Sequence, residues 1–293
     1  MSASPDVATA LPRADGALGT VPGTLRQAVI LSRYQLRDYL RSRRFILMMA
    51  IVLAAGAILT TVVAYFRPQS ILDNANDFYG TLGGGLVFVI LFSGIIFGGD
   101  AIAGEFQNKT GYFLMGLPIK RGSVYVGKYL AALAASIVAV VVFVLILMGN
   151  AIYYLGTGAF SDPVPLVEAL ALSLLYLLAL LGFVFLFSSL FKTSLYAVLV
   201  VAVMFLFGFT IIQGVVTALA HTEPWFLLSY ANTVIGYPLT GVPAHIIITH
   251  NPVTGAEETM YNPTYVEGIV VMLGYFILTS VGGWFLVGRE EFT

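Results

Sequence analysis

A chain of 293 residues in which 59% are hydrophobic and only 10% charged lacks the polar surface to cover a water-soluble globule of its size, so lipid must solvate it. The formal net charge of -1 says nothing about nucleic-acid or acidic partners until the charges are placed along the chain, and no nucleic-acid partner is expected. The absence of cysteine excludes disulfides, thiolate metal sites and a cysteine nucleophile.

Residues 1–24 are rich in Ala, Pro, Gly and Ser without apolar periodicity, which predicts a disordered tail that is no cleaved signal peptide. Residues 25–44 differ. Wound as a helix, they place Leu25, Val29, Leu36 and Leu40 on one face and Arg26, Arg33, Arg37, Arg41 and Arg44 along an adjoining stripe. That pattern predicts an amphipathic helix in the headgroup plane, its arginines toward anionic phosphates. The competing reading is a solvated juxtamembrane helix whose arginines only fix topology.

The rest, 45–293, reads as an all-α polytopic membrane domain with six transmembrane helices, over about 45–66, 78–99, 129–155, 169–191, 193–220 and 268–288. Each stretch has roughly 20 or more residues without Asp, Glu, Lys or Arg, enough to cross about 30 Å of hydrocarbon. Gly83, Gly84 and Gly85 would loosen the outer end of the second span, and a turn around Lys192 makes a tight hairpin of the fourth and fifth. With six spans, seven amino-terminal arginines, Lys109, Lys120, Arg121, Lys128, Lys192 and Arg289 share one side, thirteen of the 14 basic residues; only Arg67 lies opposite. The positive-inside rule then puts both termini of a multi-pass cell-membrane protein in the cytoplasm.

None of the six segments carries an ionisable residue, which argues against a secondary transporter or an intramembrane enzyme. Histidines His221, His245 and His250 cluster in or beside the last outer loop, with Glu257 and Glu258 near; a metal site there is conceivable, against the reading of ordinary loop residues, and no metal ligand is assigned. Gly122 to Tyr129 reads GSVYVGKY, a match to G-x-x-x-x-G-K that lacks the Ser or Thr needed for Mg²⁺ and leads into a membrane span. No catalytic or cofactor site is therefore assigned; Gly127 is expected to allow close packing and Lys128 to snorkel to the headgroups. Small residues in the third and sixth spans (Ala131, Ala132, Ala134, Ala135 and Ser136; Gly282 and Gly283) suit close helix contact, within the chain or between copies.

The long polar interruption at 100–128 reads as a loop at a membrane face. It begins on Asp100 and continues through Glu105, Thr110 with Gly111, an apolar run, Pro118, Arg121, and Gly127 with Lys128 opening the next span. In this order the motif resembles the type-2 ABC transporter permease family, whose members have six spans, a basic interfacial helix and a long first cytoplasmic loop. Two details depart from the usual pattern: Thr110 precedes Gly111, where Gly-Thr is common, and Phe106-Gln107-Asn108 carries less charge. The resemblance implies the permease subunit of an exporter without an ATPase site of its own. ATP and Mg²⁺ would be bound by a separate ATPase subunit, which docks on a coupling helix in the 100–128 loop, and the permease would form a homodimer or pair with a similar chain. A membrane scaffold without transport activity is the alternative from another class. Between the fifth and sixth spans, residues 222–267 are too apolar for a free loop, with Trp225, Phe226, Tyr230 and Tyr237 broken by Pro224, Pro238 and Pro243. Such a stretch dips toward the outer leaflet; in the family it is re-entrant and gates the path, and the alternative is a folded cap without a gating role.

Overall fold

The computed structural model describes residues 23–66, 74–108, 120–250 and 257–289. The tail at 1–22, Arg67, Lys109, Thr110, Gly111, Pro118, residues 251–256, and the side chains of His250, Glu257 and Glu258 lie outside the described residues.

Because lipid offers no hydrogen bonds to the backbone, a spanning segment must satisfy its own N–H and C=O groups, and an α-helix does so within itself. Helix α1 (Thr24–Arg41) precedes α2 (Arg43–Phe66), α3 (Ala75–Gly98), a short α4 (Ala103–Gln107), α5 (Arg121–Leu155), α6 (Val164–Leu190) and α7 (Ser194–Leu219). Short turns α8 (Leu228–Ala231) and α9 (Tyr237–Thr240) follow, then strands β1 (Ile246–His250) and β2 (Glu257–Tyr261), and last α10 (Tyr265–Arg289). Six of these helices are long and apolar enough to cross a membrane.

Helices α3 and α6 form the centre, with 72% and 61% of their most apolar windows buried, against 22% for α2 and α7 and 17% for α10. Exposed Leu and Ile on the outer helices therefore face lipid or another chain, whereas α3 is mostly enclosed and leaves Phe88 exposed. Gly83 to Gly85 do not loosen α3. Gly85 lets the Phe143 ring approach to where a Cβ would stand, and Gly94 and Gly98 do the same for Leu180 and Val184 of α6. The expected small-residue stripe is spent inside the chain: Ala131, Ala132, Ala135 and Ser136 are fully buried. Gly283 of α10 similarly lies against the Tyr125 ring of α5.

Three boundaries depart from the sequence reading. The 25–44 segment is two helices: Ser42 adopts an extended conformation, its Oγ donates to Tyr39 O at 2.7 Å and accepts from Phe45 N at 3.3 Å, so Arg44 belongs to α2. Helix α5 begins at Arg121, eight residues before the expected span, because the polar residues of its first turns find partners instead of water. Finally, Ile246-Ile247-Ile248-Thr249 is a β-branched run that pairs antiparallel with β2, Ile246 opposite Tyr261, giving a two-stranded hairpin that the α-only pattern omitted.

Between α7 and α10, residues 227–237 fold back into the bundle, burying Leu227, Leu228, Tyr230, Val234, Ile235 and Tyr237. This cap packs on its own helices, while Trp225 and Phe226 stay exposed. Beneath it, Gly83 and Gly84 of α3 and Asn232 and Thr233 of the cap line a largely apolar cavity of about 290 Å³.

Candidate functional site

The polar residues of the α3–α5 connection do not form an open loop at their start. Helix α3 ends at Gly98, leaving carbonyls without helical partners. The buried hydroxyl of Tyr39, from α1, donates to Phe97 O at 2.9 Å. Asp100 forms an ion pair with Arg44, at the start of α2. Two residues on, the backbone N–H groups of Ile102 and Ala103 both donate to Ser188 Oγ of α6, at 3.0 and 3.1 Å. Gln107, closing α4, accepts from Ser194 N at 2.9 Å and so satisfies an orphan donor at the start of α7.

Lys128 is the centre of this arrangement. It lies two turns into α5 and is 4% exposed, so it does not snorkel. Its ammonium donates to Ala101 O at 2.7 Å and pairs with Glu105 of α4. A buried ammonium is tolerated only when its protons are satisfied, and the turn after α3 supplies the acceptors. Gly127, its neighbour, faces α1: an added Cβ would stand 2.9 Å from Ala28 O and 2.9 Å from the Leu31 side chain. Close packing at Gly127 thus holds, although α1 rather than the bilayer is what approaches.

Arg121 opens α5, and its guanidinium donates to Gly288 O at 3.3 Å, near the end of α10. Beside it, Ser123 Oγ donates to Thr24 O at 3.1 Å and Lys120 N to Gln27 Oε1 at 3.3 Å. These bonds gather α1, the connection, the α6–α7 turn and the carboxyl-terminal end of α10 at one end of the bundle, where the described basic residues collect. Of the expected site residues, Asp100, Glu105 and Lys128 share one network with Arg44, while Arg121 and Gly127 flank it. Thr110, Gly111 and Pro118 lie outside the described residues.

Helix α1 has three faces rather than two. Gln27, Ala28 and Tyr39 are buried against the bundle; Leu25, Val29 and Leu40 are exposed, as are Arg26, Arg33, Arg37 and Arg41. Burial raises the Tyr39 hydroxyl well above its ordinary pKa, and the Asp100 carboxylate adds to the shift, so the group remains a donor. The residues missed from sequence, Tyr39, Gln107 and Ser188, are uncharged and lie in apolar or amphipathic runs; Ser188-Ser189 at the end of an otherwise greasy span was the single available signal.

The G-x-x-x-x-G-K match is helical throughout Gly122 to Lys128. Most of its N–H groups are committed to helical bonds and its lysine to Glu105, so it cannot wrap a phosphate as a P-loop does. Among the described histidines, His245 approaches Glu223 and Glu267.

A family model described as "ABC-2 family transporter protein" matches residues 29–238, well over half of the chain, running from within α1 through the braced connection to the cap. The chain belongs to the ABC-2 transporter family. No curated protein matches it at a significant level. As an ABC-2 protein it is a multi-pass membrane permease, and the network around Lys128 holds the described start of the α3–α5 connection against the bundle.

Proposed function

We propose that the chain is the membrane subunit of an ABC exporter, driven by ATP and Mg²⁺ bound in a separate soluble ATPase and paired with a second copy or a similar permease. The α3–α5 segment is the coupling element. The observation that carries this reading is the bracing of its base: five helices, α1, α2, α5, α6 and α7, each bond or pair with residues 97–107. A push on a segment so anchored reaches the bundle instead of being lost in loop motion. Within it, Asp100, Glu105, Gly127 and Lys128 position the connection, and Arg121 stands at its far end. Family membership supports the ATPase partnership, and the resemblance of the motif supports export.

The thirteen-to-one division of basic residues supports a cytoplasmic location for this end and for both termini. The exposed arginines of α1 would then meet anionic headgroups beside the docked ATPase. Co-expression with ABC ATPases from the same genome tests the reading. The wild-type permease should co-purify with an ATP-hydrolysing subunit, and the Glu105→Ala, Arg121→Ala pair should lose it while remaining folded. Retention of the ATPase by a folded double variant would overturn the coupling assignment, and wild-type chain that never retains one would favour a scaffold.

A further inference from the structure

At the end of the bundle opposite α1, some 36 Å away along the 25 residues of α10, three ligand-bearing side chains from separate stretches converge. Glu223 follows α7, His245 precedes β1 and Glu267 lies in the first turn of α10. One ligand atom from each falls within 4.8 Å of the other two.

Each side chain is held by a partner that leaves ligand capacity facing the others. The His245 Nδ1 lies 2.7 Å from Asn262 O, a contact with a carbonyl that requires Nδ1 to carry hydrogen. In the neutral ring Nε2 then bears a lone pair, and it sits 3.5 Å from Glu223 Oε2. Asn262 is fixed in turn, its N donating to His245 O at 2.9 Å and its Nδ2 to Ala244 O at 2.9 Å. The other oxygen of Glu223 accepts from the Tyr230 hydroxyl at 2.6 Å. Glu267 accepts from Thr264 N at 2.7 Å, and Glu267 N donates to Thr264 Oγ1 at 3.3 Å, a capping box that fixes the carboxylate at the head of α10.

A lone pair facing two carboxylates is unfavourable unless positive charge lies between them. A single proton on Nε2 would balance one of the two negative charges; a divalent ion balances both. One imidazole nitrogen and two carboxylate oxygens suit zinc-class ions and do not suit Ca²⁺ or Mg²⁺, which favour all-oxygen shells. Ligand atoms about 2.0–2.1 Å from a tetrahedral zinc are about 3.4 Å apart, close to the His245–Glu223 separation, so the Glu267 carboxylate needs only a small approach. An N–H donated by the ligating ring to a backbone carbonyl is the arrangement that orients metal-bound histidines.

We propose that Glu223, His245 and Glu267 form a zinc-class divalent metal site, with water in the fourth position, that ties the cap and the β-hairpin to the head of α10. The full chain, purified in detergent without a histidine tag and stripped with EDTA, should take up one Zn²⁺ per chain in competition with a chromophoric chelator. Co²⁺ in its place should give the intense visible absorption of a four-coordinate site. His245→Ala and Glu267→Gln should each weaken uptake at least tenfold; the latter keeps the capping box, because glutamine serves there as well, and so keeps the fold. His221→Asn and His250→Ala should bind as the wild type does. Absence of stoichiometric Zn²⁺ in the wild-type chain, or uptake unchanged in both ligand variants, would overturn the site. So would a thermal midpoint that shifts with pH near neutrality but not with Zn²⁺, which would make the tie a protonated histidine only.

Discussion

Replacing Lys128 with methionine keeps the stem that fills the space between α5 and the turn after α3 and removes only the charge. The ammonium makes two charge-assisted bonds, to Glu105 and to Ala101 O, each worth about 1.5–3 kcal/mol in a dry setting. The Lys128 side chain is 5% exposed but that of Glu105 is 20% exposed, so in the variant the carboxylate regains some water and the full cost of breaking a buried pair is not incurred. Methionine also escapes the cost of burying an ammonium, several kcal/mol, so of the about 3–6 kcal/mol the two bonds supply a net loss of about 2 kcal/mol remains, which multiplies the open population of the connection about 30-fold. Hydrogen exchange of the detergent-solubilised chain should therefore show amides of 101–107 exchanging about 30-fold faster in Lys128→Met, while the middle of α6 is unchanged. Glu105→Gln should accelerate the same amides in the wild-type background and add little in the Lys128→Met background, since the two changes break one interaction. Equal acceleration by Glu105→Gln in both backgrounds would refute the pairing as the element that holds the connection.

Other outcomes follow from neighbouring contacts. Gly127→Val should cost about 1–3 kcal/mol by forcing α1 off α5; because the chain has no cysteine, a disulfide between Thr24→Cys and Ser123→Cys reports that contact, and its yield should fall. Ser188→Ala leaves the Ile102 and Ala103 N–H groups without their acceptor, a loss of about 1–3 kcal/mol, read as faster exchange at those two amides. Tyr39 has its folded-state pKa raised above the ordinary 10.0, so its contribution to stability is present below that value and is lost as pH rises beyond it. Thermal midpoints should therefore fall in alkali, and Tyr39→Phe should remove part of that dependence at the cost of the bond to Phe97 O.

Uncharged length made the six spans legible, because hydrocarbon thickness imposes it regardless of packing. Charge misled at both edges of the central connection. Lys128 reads as polar punctuation in a linear sequence, yet a buried acceptor set lets α5 run through it. Ser42 tolerates a helix interior and carries no sequence mark of a break; the break comes from its hydroxyl bridging Tyr39 O and Phe45 N. Asp100 and Glu105 stood out as site residues, but their partners, Arg44 and Lys128, are set by how α2 and α5 pack. Proximity to Glu223 and Glu267 gives His245 its neighbours, and no periodicity in the sequence encodes a meeting of three distant stretches.

Helix α5 has 35 residues and is about 52 Å long, against roughly 30 Å of hydrocarbon. It carries Lys128 near one end and Asn150, bonded to Thr60 of α2, near the other. No proline, π-turn or other joint interrupts it, in contrast to α7, where Met204–Gly208 widens into a π-turn. Under the proposed coupling, an axial shift of its head beside the connection would carry through to its tail, because a rod without a joint has nowhere to absorb the motion.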